Sequence, residues 1–242
     1  MTDGKVGNRW LVVIGAVLIQ LALGAIYAWS VFTPSLEDAG WSKAQTQYVF
    51  STGLAFFAIV MVIAGRLMPK YGPKKLAMSG GIVLGLGYLC GGLFGGTSVA
   101  LLILFIGIIG GSGIGLAYVV PIAVGMRWFP DKKGLITGLA VAGFGFGAML
   151  WVKLAGAWGN LIATQGLSTT FSIYGIVFFL MVLIGGLWMV YPADGWKPEG
   201  WVPPEPKRGQ VAEGVNFESG KMLKTAQFYM IFLTFVFSAG AG

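Results

Sequence analysis

"YPADGWKPEGWVPPEPKRGQ", residues 191–210, decides how this chain is organised. It is rich in Pro, Gly and charge, and it interrupts a sequence that is otherwise apolar. Ahead of it we read six apolar runs, at 10–33, 46–66, 76–96, 99–124, 135–158 and 169–191. A seventh opens near Thr225 and is still apolar at Gly242. Runs of roughly 20 apolar residues are long enough to cross a ~30 Å hydrocarbon core as helices. The expectation is an all-α membrane protein with a six-helix bundle over 1–191. A cytoplasmic linker with one interfacial helix follows over 192–224, and the incomplete start of a second bundle over 225–242.

Composition points the same way. Of the 242 residues, 56% are hydrophobic and only 10% charged, and mean hydropathy is +0.80. A soluble domain carries about 25% charged residues, so this chain could not clothe a water-facing surface. The first apolar run is too long for a signal peptide and has no Ala-x-Ala site, so it reads as a span. The 40 glycines lie within the apolar runs, where small residues let helices approach closely. The single cysteine, Cys90, reads as a small buried hydrophobe.

Enzyme chemistry has little to stand on. There is no histidine, and all nine carboxylates fall in predicted loops or tails. No acid pair, metal-ligand cluster or nucleophile–base arrangement is present, so no enzyme, metal or other cofactor is expected. The net charge of +7 has another explanation. The N-terminus, the connections between runs two and three and between four and five, and the linker hold 14 of the 16 Lys and Arg residues; Lys43 and Lys153 are the exceptions. By the positive-inside rule those segments are cytoplasmic, and no nucleic acid is implied. Ser42 and Gln45 fit a capping box opening the second helix.

Six spans, a cytoplasmic linker and a further span match transporters built from two pseudosymmetric halves. The sequence therefore reads as the first half of a larger machine, or a fragment of it, that requires a second six-helix half. Two stretches sharpen this. "AGRLMPKYGPKKLAMSG" (Ala64 to Gly80) joins runs two and three. It resembles the signature loop of the major facilitator superfamily at Gly65, Leu67, Lys70, Gly72 and Lys74. It departs where Pro69 replaces the family's Asp and Pro73 the first Arg after the glycine. "YVVPIAVGMRWFPDKKGLITGLAVAGFGFGA" (Tyr118 to Ala148) and "GAIYAWSVF" from Gly24 resemble the oxalate/formate antiporter and monocarboxylate transporter branch. That resemblance implies a twelve-helix facilitator fold moving small organic anions.

The candidate site follows. Tyr118 continues a helical stripe with Gly111 and Gly115, and its phenol can donate to a carboxylate. In the resembled family a tyrosine of helix four lines the substrate cavity, and Tyr118 matches it. Tyr27 shares a face of helix one with Gln20 and Gly24. A mid-span glutamine facing lipid would leave its amide unsatisfied, and either an interhelical hydrogen bond or a substrate would satisfy Gln20. Phe144 and Phe146 lie among glycines, and Leu139, Gly143, Phe146, Leu150 and Lys153 share a helical face. We take Phe146 as the aromatic wall beside Tyr27 and Tyr118. Lys153 lies about 27 Å along helix five at 1.5 Å per residue, near the outer interface. There it either snorkels to headgroups or faces an outer vestibule and attracts anions.

The resulting expectation is alternating-access, proton-coupled transport of a small monocarboxylate such as L-lactate in a plasma membrane (a bacterial inner membrane) with a cytoplasmic N-terminus. The resemblance implies that an arginine of the second half binds the anion. Oxalate/formate-type antiport and export of a neutral or drug-like solute are the alternatives.

Overall fold

The computed structural model describes residues 8–96, 98–202 and 219–240. They fall into two units, one running to Glu199 and the other beginning at Gly200. The first unit holds six helices long and apolar enough to cross a membrane: α1 Trp10–Asp38, α2 Lys43–Tyr71, α3 Pro73–Gly95, α4 Val99–Trp128, α5 Pro130–Ala155 and α6 Leu161–Gly186. In the second unit, a short helix Ser219–Met222 precedes α7, Ala226–Gly240. Residues 203–218 of the linker in which an interfacial helix is expected lie outside the described residues.

Local chemistry sets the helix ends. Ser42 caps α2 through the expected box: its hydroxyl accepts from the Gln45 backbone N–H and the Gln45 side chain accepts from the Ser42 N–H. The α2–α3 connection is much tighter than the expected loop. Gly65 and Lys70 are helical residues of α2 and Lys74 belongs to α3, so only Gly72 lies between the helices. Its φ of +81° is a conformation that glycine adopts without steric cost. Pro73 then starts α3 with its φ already set and no N–H to waste. α5 stops at Ala155 before Gly156, short of the expected residue 158. α6 opens at Leu161, bends at Gly166, where φ is +77°, and ends at Gly186.

A second difference concerns the acids. Glu37 and Asp38 do not lie in a loop: they close α1, because Pro34 sits in the first turn of its final segment and the helix runs on. One oxygen of Glu37 and the hydroxyl of Thr33, one turn earlier, are buried without a protein partner.

α1 packs against α4, α5 and α6, while α3 lies between α4 and α6 and α2 lies on α4. Glycines allow the closest approaches. A Cβ on Gly15 or on Gly185 would sit 2.6 Å from the other's carbonyl oxygen, so α1 and α6 meet backbone to backbone. Above that crossing the core is aromatic. Trp29 stacks on Phe171 at 2° between planes, Phe32 meets Phe171 at 4.7 Å and Trp151 meets Phe178 at 4.8 Å. Their polar atoms are satisfied: Trp29 donates to the Thr46 carbonyl, Trp151 to that of Leu21 and Tyr174 to that of Trp151. Leaving such groups unpaired in an apolar core would cost about 1–3 kcal/mol each.

Beyond α6 the chain folds back onto the same unit, past the expected boundary at residue 191. The Trp128 indole donates to the Val190 carbonyl at 2.7 Å, its ring meets Trp196 at 4.9 Å, and the Arg127 guanidinium lies 3.8 Å over Tyr191. These contacts carry the first unit on to Glu199.

Candidate functional site

Helix α1 changes pitch where the candidate residues begin. It is α-helical to Leu23 and tightens to 3₁₀ geometry over Gly24–Phe32. A Cβ on Gly24 would collide with the Phe144 carbonyl oxygen, so only glycine lets α1 and α5 touch here. That contact places Phe144 at the centre of an aromatic cluster. Tyr27 approaches it edge-on at 5.6 Å and Tyr118 at 5.1 Å. Phe57 of α2 lies 5.1 Å from Tyr118 and 6.3 Å from Phe144. Edge-to-face pairs at these separations are each worth about 0.5–1.5 kcal/mol beyond area burial. Neither phenol has a hydrogen-bond partner among the described residues, and Tyr27 is half exposed.

The ring beside both phenols is Phe144, where the expectation placed Phe146. Phe146 is 61% exposed and takes no part in the cluster. Two residues along a helix turn it by about 200°, so when Phe144 faces α1 and α4, Phe146 faces away. Seen from the sequence, both are phenylalanines between glycines, and only the partner of Gly24 tells them apart.

Gln20 is fully buried, and neither its amide oxygen nor its amide nitrogen has a protein partner. It lies one helical turn before Gly24, opposite Gly143 of α5, whose added Cβ would come within 3.3 Å of the Gln20 Cβ. The interhelical hydrogen bond considered above is thus not made among the described residues. Lys153 lies in the last turn of α5. Its carbonyl accepts from the Trp158 and Gly159 N–H groups at 2.8 and 3.2 Å. A cation in a last turn is stabilised by the helix dipole, by about 0.3–1 kcal/mol.

Sequence reading missed one further group. Arg9, at the start of α1, forms a two-pronged ion pair with Asp131 at 2.9 and 3.2 Å and lies 4.5 Å over the Phe129 ring. Lys132 in turn lies over Trp10. The "RWFPDKK" motif signalled this cluster, but its partner was 122 residues away.

Six apolar helices of membrane-crossing length mark a multi-pass membrane protein. The chain belongs to the Major Facilitator Superfamily, whose model matches residues 12–242. The members of that family are transporters and not enzymes. The chain is 35% identical over 184 residues to the uncharacterized MFS-type transporter YhjX of Escherichia coli strain K12, covering 75% of this chain and 44% of that one. It is 27% identical over 243 residues to the oxalate:formate antiporter of Oxalobacter formigenes, covering 100% of this chain and 54% of that one. It is 31% identical over 150 residues to monocarboxylate transporter 13 of Rattus norvegicus, covering 61% of this chain and 35% of that one. The chain thus spans about half the length, or less, of the curated relatives it matches.

Proposed function

We propose that this chain forms the first half of a secondary transporter of small monocarboxylates such as L-lactate. It works by alternating access against a second six-helix half that begins at residue 225, beyond the linker. The observation that carries this reading is the pair of unpartnered phenols, Tyr27 and Tyr118, held on the Phe144 ring. Two such donors suit a carboxylate, and an apolar surround suits an acid with a small alkyl end. The buried, unpartnered Gln20 amide adds a polar group one turn away on the same helix. The monocarboxylate transporter among the relatives supports the substrate class.

The described helices carry no cation at mid-span, so the charge that binds the anion belongs to the second half. Lys153, at the end of α5, draws anions toward the outer mouth. Coupling to protons is the accompanying reading, in a plasma membrane of the bacterial inner-membrane kind with the N-terminus inside. The ring of Arg9, Lys132 and Arg127 contacts at one end of the unit supports that orientation, since cationic groups collect on the cytoplasmic side. Oxalate/formate-type exchange is the second reading, favoured by a likeness to the antiporter that runs the whole chain.

Uptake of labelled L-lactate into proteoliposomes, with and without an inward proton gradient, separates the two. Gradient-driven uptake is expected. No net uptake, but fast exchange against preloaded oxalate or formate, would replace symport by antiport.

A further inference from the structure

We propose that a cleft inside the first unit holds the apolar end of the transported anion, and that Gly53 sets how large that end can be. This rests on the carboxylate reading above and deepens it. The cleft encloses about 260 Å³ of empty space, counting its open mouth, among α1, α2, α3 and α4. Its inner part has room for roughly a water- or methyl-sized group. Ile26, Phe50, Gly53, Ile106 and Gly111 line it. Phe50 is shared with the candidate site: it forms one wall of the cleft, and its ring meets Tyr27 edge-on at 6.3 Å. An anion held by the Tyr27 and Tyr118 phenols therefore has an apolar recess beside it.

Two independent features mark the recess as built for occupancy. Its chemistry is mostly apolar: no charged side chain lines it, the indole N–H of Trp29 is committed to the Thr46 carbonyl, and the Tyr88 phenol is the remaining polar side chain on its wall. The helices around it are also irregular. α1 is overwound to 3₁₀ geometry over Gly24–Phe32, and α4 is widened to π geometry over Ile103–Gly110. Widened helical turns of this kind concentrate at functional sites.

Gly53 is the adjustable wall. A Cβ there would lie 3.6 Å from Ile26 Cδ1 and 3.9 Å from Gly107. That is ordinary contact, so alanine fits without moving the backbone and takes up space in the cleft. Gly111 differs: its Cβ would lie 2.5 Å from the Gly53 carbonyl oxygen, so helix packing alone requires glycine there. Formate and oxalate have no alkyl group to place in the recess. Acetate, lactate, propionate and their homologues do, and the occupant is a short-chain alkyl monocarboxylate.

The test is inhibition of labelled lactate uptake by formate, acetate, propionate and butyrate, using proteoliposomes of the full-length transporter that contains this chain. For the unmodified protein, inhibition should strengthen as the first one or two carbons are added and then weaken. Gly53→Ala should lower the propionate-to-formate potency ratio roughly tenfold or more, the discrimination typical of one methylene in an apolar pocket. Val49 also lines the cleft, so Val49→Ala enlarges it and should move the optimum toward butyrate. A wild-type profile independent of chain length would overturn the assignment, as would folded variants that keep the wild-type profile. If no carboxylate inhibits or is carried, the substrate reading itself falls. If carboxylates inhibit but chain length does not matter, only the cleft assignment falls.

Discussion

The guanidinium of Arg9 grips both oxygens of the Asp131 carboxylate, at 2.9 and 3.2 Å, tying the start of α1 to the turn between α4 and α5. The two side chains are 24% and 17% exposed, so water screens the pair only in part. Asp131→Asn should destabilise the folded unit by about 1.5–3 kcal/mol, the range for hydrogen bonds to charged groups. The charge-reversed pair Arg9→Asp with Asp131→Arg should recover part of that loss. Thermal unfolding in detergent of the two single variants and the double variant checks the coupling, and additive losses would mean the pair contributes nothing.

Tyr118→Phe and Tyr27→Phe keep each ring against Phe144 and remove only a hydroxyl. Neither hydroxyl has a protein partner among the described residues, so the melting temperature should stay put. Apparent affinity for the transported anion should weaken roughly tenfold, the worth of one hydrogen bond to a charged group at about 1.5 kcal/mol. Transport kinetics beside a thermal-shift measurement decide it; unchanged KM in both variants would remove the phenols from the site.

Gln20→Met should stabilise the unit while impairing transport. The amide is fully buried without a protein partner, and an apolar side chain of similar shape avoids a desolvation cost of about 1–3 kcal/mol. Unfolding and uptake measured on the same preparation read both effects. Higher stability with full transport would make the amide a bystander.

The glycines divide by what a methyl group would strike. Gly24→Ala drives a carbon into the Phe144 carbonyl and should cost 2 kcal/mol or more, on the order of the larger overpacking penalties. At Gly138 of α5 nothing lies within 4 Å of the added carbon. There alanine should be neutral or stabilising by up to about 1 kcal/mol, as its helix propensity predicts. Comparing the two variants' unfolding midpoints checks the contrast.

The number of spans, their order and the capping box were readable from the sequence, because they depend on local hydropathy and on side chains three residues apart. The signature stretch was readable as a turn at Gly72, but not as a one-residue turn. How far α2 persists through Pro69 depends on helix continuation, which composition describes poorly. Tyr27 and Tyr118 could be nominated from helical spacing and from the family resemblance. That the two rings share Phe144, and not Phe146, could not. The choice is made by the close approach of Gly24 to α5, a contact between segments 120 residues apart.

What the sequence by itself determined is therefore set within one helix: its apolarity, its approximate extent and the Ser42 cap. What only the tertiary structure decided is what happens between helices. The Arg9–Asp131 pair, the solitary amide of Gln20 and the cleft beside Gly53 exist because helices distant in sequence come together, and steric fit between distant surfaces leaves no periodic trace in the chain.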